Sequence, residues 1–286
     1  MTDEKDTETR GHGDAGKEES PLRRVSASPR PASWTLAITG KGGVGKTTLA
    51  ALAVRWLVEH GRGPVLAVDA DPNSSLDALL GARVTSPVGA LREEVKQLAQ
   101  TSDPSAGGMG KQKLLEMKIQ QSLVEADNFD VLAMGRPEGP GCYCYANNVL
   151  ATAIRRLTDS YPAIVIDNEA GLENLSRRLV RRADRLVFVS DPSARGLTTA
   201  RRLYDLAVEM KVIAGELSLV VNRVREEACL ERARRIFDNT PVSVLGGLPE
   251  DAELSTRDAE GSPIWTLPEG NTLLKAAGSI LSAMDQ

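Results

Sequence analysis

Residues 40 to 48, GKGGVGKTT, constrain this chain more than any other stretch. They follow a short apolar run, TLAIT at 35–39, and lead into a helical pattern from residue 46. Gly40, Lys41, Gly42, Gly43, Val44, Gly45, Lys46 and Thr47 match the pattern G-x-x-x-x-G-K-[ST]. Glycines let the backbone wrap closely, so that successive N–H groups and a helix N-terminus face phosphate groups. Lys46 then reaches the β- and γ-phosphates, and the Thr47 hydroxyl binds Mg²⁺, with Thr48 beside it in the binding set. Lys41 is one lysine more than such a cradle needs.

The rest of the chain reads as the scaffold this loop requires. Apolar runs at 35–39, 64–70, 130–135, 163–168, 185–191, 217–223 and 242–247 alternate with helical patterns. The helices are expected at 46–60, within 88–126, and at 146–158, 172–183, 196–211, 226–236 and 270–284. Several runs are almost continuously apolar, as strands covered on both faces are. Such alternation predicts an α/β fold, a mostly parallel, doubly wound sheet with helices on both faces. Ligands of these sheets bind at the carboxyl ends of the strands. A single domain is expected over 33–286, preceded by a charged, Ser/Gly/Pro-rich extension, 1–32, too poor in apolar residues to fold.

Composition excludes several classes. The net charge of −4 gives no basic excess for nucleic acid or an anionic membrane. No apolar run approaches the roughly 18 residues of a membrane span. The first twenty residues have no apolar core and carry acidic side chains, so they read as neither a secretory signal nor a transit peptide. Cys142, Cys144 and Cys229 are too few for a disulfide framework, which points to a reducing cytoplasm.

Three carboxylates are expected at the same edge as the phosphate loop. Asp69 and Asp71 lie in VDADP at the end of the second strand, and Asp167 ends AIVID. A lone strand-terminal Asp is often a helix cap, but three at one sheet edge point to the site.

Cys142 and Cys144, in GPGCYCY, are two residues apart, so an extended backbone turns both sulfurs to one side. Two thiolates do not close a metal site, and the only histidines, His12 and His60, are not nearby in sequence. A second copy would complete a four-thiolate set across a twofold axis. Such a set suits Zn²⁺, Ni²⁺ or an Fe–S cluster, and geometry alone does not choose. The bland alternative is two reduced cysteines beside packing tyrosines. Cys229, in a helical stretch, reads as a small core residue.

The loop GKGGVGKT resembles that of the deviant Walker A ATPases, within the superfamily that includes MinD, ParA and the nitrogenase iron protein. That likeness implies that Lys41 reaches into a partner protomer's site and stabilises charge on the transferring phosphate, as an arginine finger does. It further implies that VDADP is switch I, with Asp71 orienting the attacking water or touching the Mg²⁺ shell. Asp167 would hold Mg²⁺ through water, and the segment after it, with Gly171, would be switch II. Asn222 in LVVNR and Pro249 in LPED resemble adenine-reading elements, and Arg223 stands where a GTP-type N-K-x-D would need lysine, which favours ATP.

Together, GKGGVGKT, VDADP, GRPEGPGCYCYANN and DNEAG resemble the CooC-type ATPases over about 34–286. These are nickel-insertion accessory proteins for carbon monoxide dehydrogenase and acetyl-CoA synthase. The resemblance implies a homodimer that binds one Ni²⁺ or Zn²⁺ through Cys142 and Cys144 of both copies, and a client nickel enzyme. A MinD-type positioning ATPase would carry a basic amphipathic C-terminal helix, and residues 270–286 hold one lysine and one aspartate. A ParA-type ATPase would carry a basic stripe. Arg177, Arg178, Arg181, Arg182 and Arg185 form a cluster read as a solvated helix face or a dock for an acidic client. An Mrp-type iron–sulfur carrier would space its cysteines more widely.

Overall fold

β5, Ala163–Asp167, lies between β1, Trp34–Gly40, and β2, Val65–Asp69, with all three parallel. That register sets Asp167 level with Asp69 on one side and Ile38 on the other. The carboxyl ends of these strands therefore converge on the phosphate loop. The computed structural model describes residues 33–71, 73, 75–91, 111–135, 154, 156–169, 183–212 and 214–285. All of them fall within one unit, Pro31–Gln286. The expected N-terminal extension, 1–32, lies outside the described residues.

Among the described residues the sheet has eight strands. With β3 at Leu123–Glu125, β4 at Phe129–Ala133, β6 at Ala183–Ser190, β7 at Ala214–Val224 and β8 at Val242–Pro249, the order is β3-β4-β2-β5-β1-β6-β7-β8. Among the described strands, only the short edge strand β3 runs antiparallel. The expected doubly wound α/β fold is the observed one.

Alternation along the strands divides the core between two faces. Leu36 and Ile38 of β1 join Leu49, Leu52 and Leu57 of helix α1, Lys46–Glu59, while Ala37 between them faces the opposite layer. Likewise Val65 and Ala67 of β2 face α1, and Leu66 and Val68 face Ile154 and Tyr161. Both faces are apolar, which is why these strands show no polar alternation.

Helices α2, Leu76–Leu80, and α3, Lys111–Gln121, follow in chain order. Three of the helices that follow begin where a polar side chain supplies the cap. Ser193 starts α4, Ala194–Glu209, by accepting the Gly196 N–H at 2.9 Å. Helix α5 spans Ala228–Phe237. Asp251 caps α6, Ala252–Ala259, at Leu254 N, and Asn271 caps α7, Thr272–Met284, at Leu273 N and Leu274 N. The Asn271 amide also donates to Asp251, so the two caps brace each other. Such caps contribute about 1 kcal/mol each.

The sequence did not predict β3, α2 or α6. The expected helix at 172–183 reaches into β6, which begins at Ala183, and its remainder lies outside the described residues. Arg185 belongs to that strand. It is 9% exposed and ion-paired with Glu216 of β7, so it is not part of a solvated helix face. The other four arginines of that cluster lie outside the described residues.

Candidate functional site

Gly40 ends β1 against β6, where a Cβ would come within 2.4 Å of the Val189 carbonyl oxygen. No other residue allows that approach without displacing backbone. The loop then turns through Gly43 and Gly45, with φ of 75° and 97°, a region that disfavours side chains. A Cβ on Gly42 or Gly43 would project into open space, as a cradle open to a ligand requires. Helix α1 starts at Lys46, so its free N–H groups face the same space.

Lys46 is 7% exposed and folds its Nζ back onto the Lys41 carbonyl at 3.3 Å. The Lys41 side chain is exposed. Thr47 and Thr48 are half-buried on the first turn of α1.

Asp167 is fully buried at the end of β5, and neither carboxylate oxygen has a hydrogen-bond partner. Burial pushes its pKa up to about 7, and Asp69 and Asp71 push in the same direction. The Thr47 hydroxyl and Lys46 oppose the shift, but the hydroxyl closes no hydrogen bond of normal geometry. A buried carboxyl without a partner is costly, so this one is suited to a cation that arrives with the ligand.

Asp69 has a different task. Its Oδ1 accepts the Asp71 N–H at 3.0 Å, and its Oδ2 accepts the N–H groups of Ser75 and Leu76 at 2.8 and 2.9 Å. Burial raises its pKa, and these bonds counter the rise. Asp69 thus serves the site through the loop it holds. That loop presents Asp71, which is half-buried and accepts from the Asn73 N–H at 2.8 Å.

Asn222 ends the central part of β7 beneath the phosphate loop. Its Nδ2 donates to the Val44 carbonyl at 2.9 Å, and its Oδ1 accepts the Arg223 N–H at 2.9 Å. A Cβ on Gly45 would fall 2.0 Å from that Nδ2, so the loop packs directly on the amide. Beside it lies a cavity of about 160 Å³ lined by Thr48, Leu79, Asn222, Arg223, Pro249, Leu254 and Ser255 among others. Three residues expected at the nucleotide, Thr48, Asn222 and Pro249, thus come together around one hollow beside the cradle.

Two residues do more than the sequence reading gives them: it does not single out Asn168, and it reads Arg223 only as a departure from the GTP-type motif. Asn168 is 2% exposed, donates its amide to the Ile38 carbonyl at 2.9 Å, and leaves its Oδ1 without a partner beside Asp167. Its position directly after a strand-terminal Asp was the available signal. Arg223 lines the cavity in a left-handed backbone conformation, φ 58°, which nothing in its residue type announces.

Cys142 and Cys144 lie outside the described residues, as does the segment 170–182 expected to form switch II, with Gly171. Among the described residues no three His, Cys, Asp or Glu gather as a metal site. Cys229 is 9% exposed at the start of α5, as expected of a core thiol. Among the described residues no helix is long and apolar enough to cross a membrane.

A family model described as "CobQ/CobB/MinD/ParA nucleotide binding domain" matches residues 35–264. An uncharacterized ATP-binding protein of Methanocaldococcus jannaschii is 41% identical over 249 residues, covering 86% of this chain and 96% of that protein. The carbon monoxide dehydrogenase accessory protein CooC of Rhodospirillum rubrum is 30% identical over 242 residues, covering 81% and 89% of the two chains. Among solved structures, the septum site-determining protein MinD complexed with Mg-ADP from Pyrococcus horikoshii superposes with a TM-score of 0.64 at 21% identity, covering 89% of this chain and 96% of that one.

Proposed function

The chain belongs to the CobQ/CobB/MinD/ParA family of P-loop ATPases, and from that premise we propose that it is an ATP-driven nickel metallochaperone. In this reading residues 33–286 form one ATPase domain that acts as a homodimer. ATP lies with its phosphates in the loop 40–48 and its base in the cavity lined by Asn222 and Pro249. Lys46 leaves the Lys41 carbonyl and binds the β- and γ-phosphate oxygens. Asp71 orients a water for attack on the γ-phosphorus. The bond to the ADP oxygen breaks, and inorganic phosphate and ADP are released. Lys41 of the second copy stabilises the charge on the phosphoryl group in transit.

The observation that carries the hydrolytic reading is the orphaned carboxylate of Asp167, buried beside Lys46 and Thr47. Those oxygens and the Thr47 hydroxyl fit Mg²⁺, which Thr47 would hold directly and Asp167 through water. When bound, the ion neutralises charge on the β- and γ-phosphate oxygens.

The cargo is one Ni²⁺ or Zn²⁺, held by Cys142 and Cys144 of both copies. Support comes from the likeness to CooC over 81% of this chain and from the pair CxC within GRPEGPGCYCYANN. Nucleotide-driven closure brings the two thiol pairs together, and hydrolysis loosens them. A shift of about 3 kcal/mol in that balance changes metal affinity roughly a hundredfold. The receiver is a carbon monoxide dehydrogenase or acetyl-CoA synthase lacking nickel. Reconstitution tests this. Nickel-free dehydrogenase mixed with this protein, Ni²⁺ and ATP should gain activity faster than with a non-hydrolysable analogue, and equal gains would contradict the proposal.

A further inference from the structure

Beside the nucleotide cavity lies a second, larger hollow of about 410 Å³. Pro192, just after β6, forms one wall. Arg223, near the end of β7, Arg225, just after it, and Arg232 of α5 also line it. Its volume exceeds that of a single ion and suits several side chains of a bound segment.

The charges are unevenly matched. Arg225 donates its Nε to Glu250 at 2.8 Å. Among the described residues, Arg223 and Arg232 have no carboxylate partner. Both are exposed. Arg223 holds its unusual backbone conformation with its N–H bound to Asn222. A non-glycine residue in that region costs on the order of 1 kcal/mol, and the conformation fixes the direction in which the side chain leaves the backbone. Two guanidinium groups thus line one hollow without an ion-pair partner, and the three arginines there outnumber the two glutamates, Glu226 and Glu250. The opportunity is for carboxylates, which a guanidinium binds through paired N–H donors.

We propose that this groove docks an acidic segment of a partner protein, and that Arg223 and Glu250 couple the docking to the nucleotide. Both residues line the groove and the nucleotide cavity. A base entering the cavity meets Arg223 from one side, and a docked carboxylate meets it from the other. Each ligand therefore changes the affinity of the other, by the same factor in both directions. Nucleic acid is the poorer fit, because the chain carries a net charge of −4 without the basic excess a phosphodiester backbone needs, and Glu226 and Glu250 break the positive lining into separate guanidinium groups that suit spaced carboxylates. The proposal is independent of the metal cargo.

Fluorescence anisotropy of a labelled octaglutamate peptide with the full-length protein tests it. Wild type should bind saturably and weaken with salt. Arg232→Glu should weaken binding by about tenfold or more, and Arg232→Lys should largely retain it. Arg232→Glu should keep its ATP affinity and unfolding midpoint, which separates lost docking from lost folding. Replacing ADP with a non-hydrolysable ATP analogue should shift the peptide affinity in wild type, and Arg223→Ala should remove that shift. Equal peptide affinity in wild type and Arg232→Glu would overturn the docking site. No nucleotide effect in wild type would overturn the coupling. A labelled DNA duplex that binds more tightly than the peptide and is lost in Arg232→Glu would replace the partner protein with nucleic acid.

Discussion

The Asn222 amide donates to the Val44 carbonyl at 2.9 Å, so one side chain of β7 holds the phosphate loop while lining the cavity beside it. Asn222→Ala removes the donor and leaves the Val44 carbonyl unpaired in a buried position, at a cost of about 1–3 kcal/mol. That cost falls on the loop conformation which binds phosphate. ATP affinity should weaken by about tenfold, measured by titration calorimetry. Gly45→Ala should be worse, because its Cβ would meet the Asn222 amide at 2.0 Å and its φ of 97° disfavours a side chain.

Asp167 makes the nucleotide-free protein sensitive to pH. Its carboxyl holds a proton up to about 7, because burial disfavours the charge. The unfolded carboxyl loses its proton near 3.9. Between those values the folded state binds more protons than the unfolded one, so stability falls as pH rises from about 4 to about 7. Above pH 7 the penalty is complete, with an upper limit on the order of 4 kcal/mol. Asp167→Asn should flatten this slope and raise stability at pH 8, measured by urea unfolding without nucleotide or Mg²⁺. The same variant should lose ATP hydrolysis. A variant with the wild-type slope would contradict the assignment.

Lys41 and Lys46 should separate cleanly. Lys46 donates to the Lys41 carbonyl, which is backbone, so Lys41→Ala leaves that bond intact. The exposed Lys41 side chain is free to act on another molecule. Lys41→Ala should therefore keep ATP affinity and slow single-turnover hydrolysis by at least about a hundredfold. Lys46→Ala should lose affinity itself. An unchanged rate in Lys41→Ala would mean that the lysine does not act across a dimer.

Much of the fold was legible because the sheet is covered on both faces. Continuous apolar runs marked each of the long strands, and the phosphate loop was readable because its glycines answer backbone demands. Strand β3 escaped because three residues, LVE, pair only at an edge. Helix α6, AELSTRDA, escaped because none of its residues is fully buried, so it carries no apolar period. Arg185 opens the expected strand 185–191, which in the structure begins at Ala183, but spacing alone also groups it with the arginines before it, and only the strand pairing separates it from them. Within the site, Asp69 and Asp167 end neighbouring strands and look alike in sequence. Only the register shows that one carboxylate holds a loop and the other is left without partners. The double role of Arg223 depends on two hollows meeting at one residue, which no local pattern encodes.

The central claim is that two copies share one metal through Cys142 and Cys144. The direct measurement is metal content per chain, together with molar mass by light scattering, after loading with Ni²⁺ and a non-hydrolysable ATP analogue. The account predicts a dimer carrying one metal per two chains, and a Cys142→Ser, Cys144→Ser double variant that binds ATP normally and carries none. Equal metal in wild type and the double variant, or a monomer under every combination of nucleotide and metal, would contradict it.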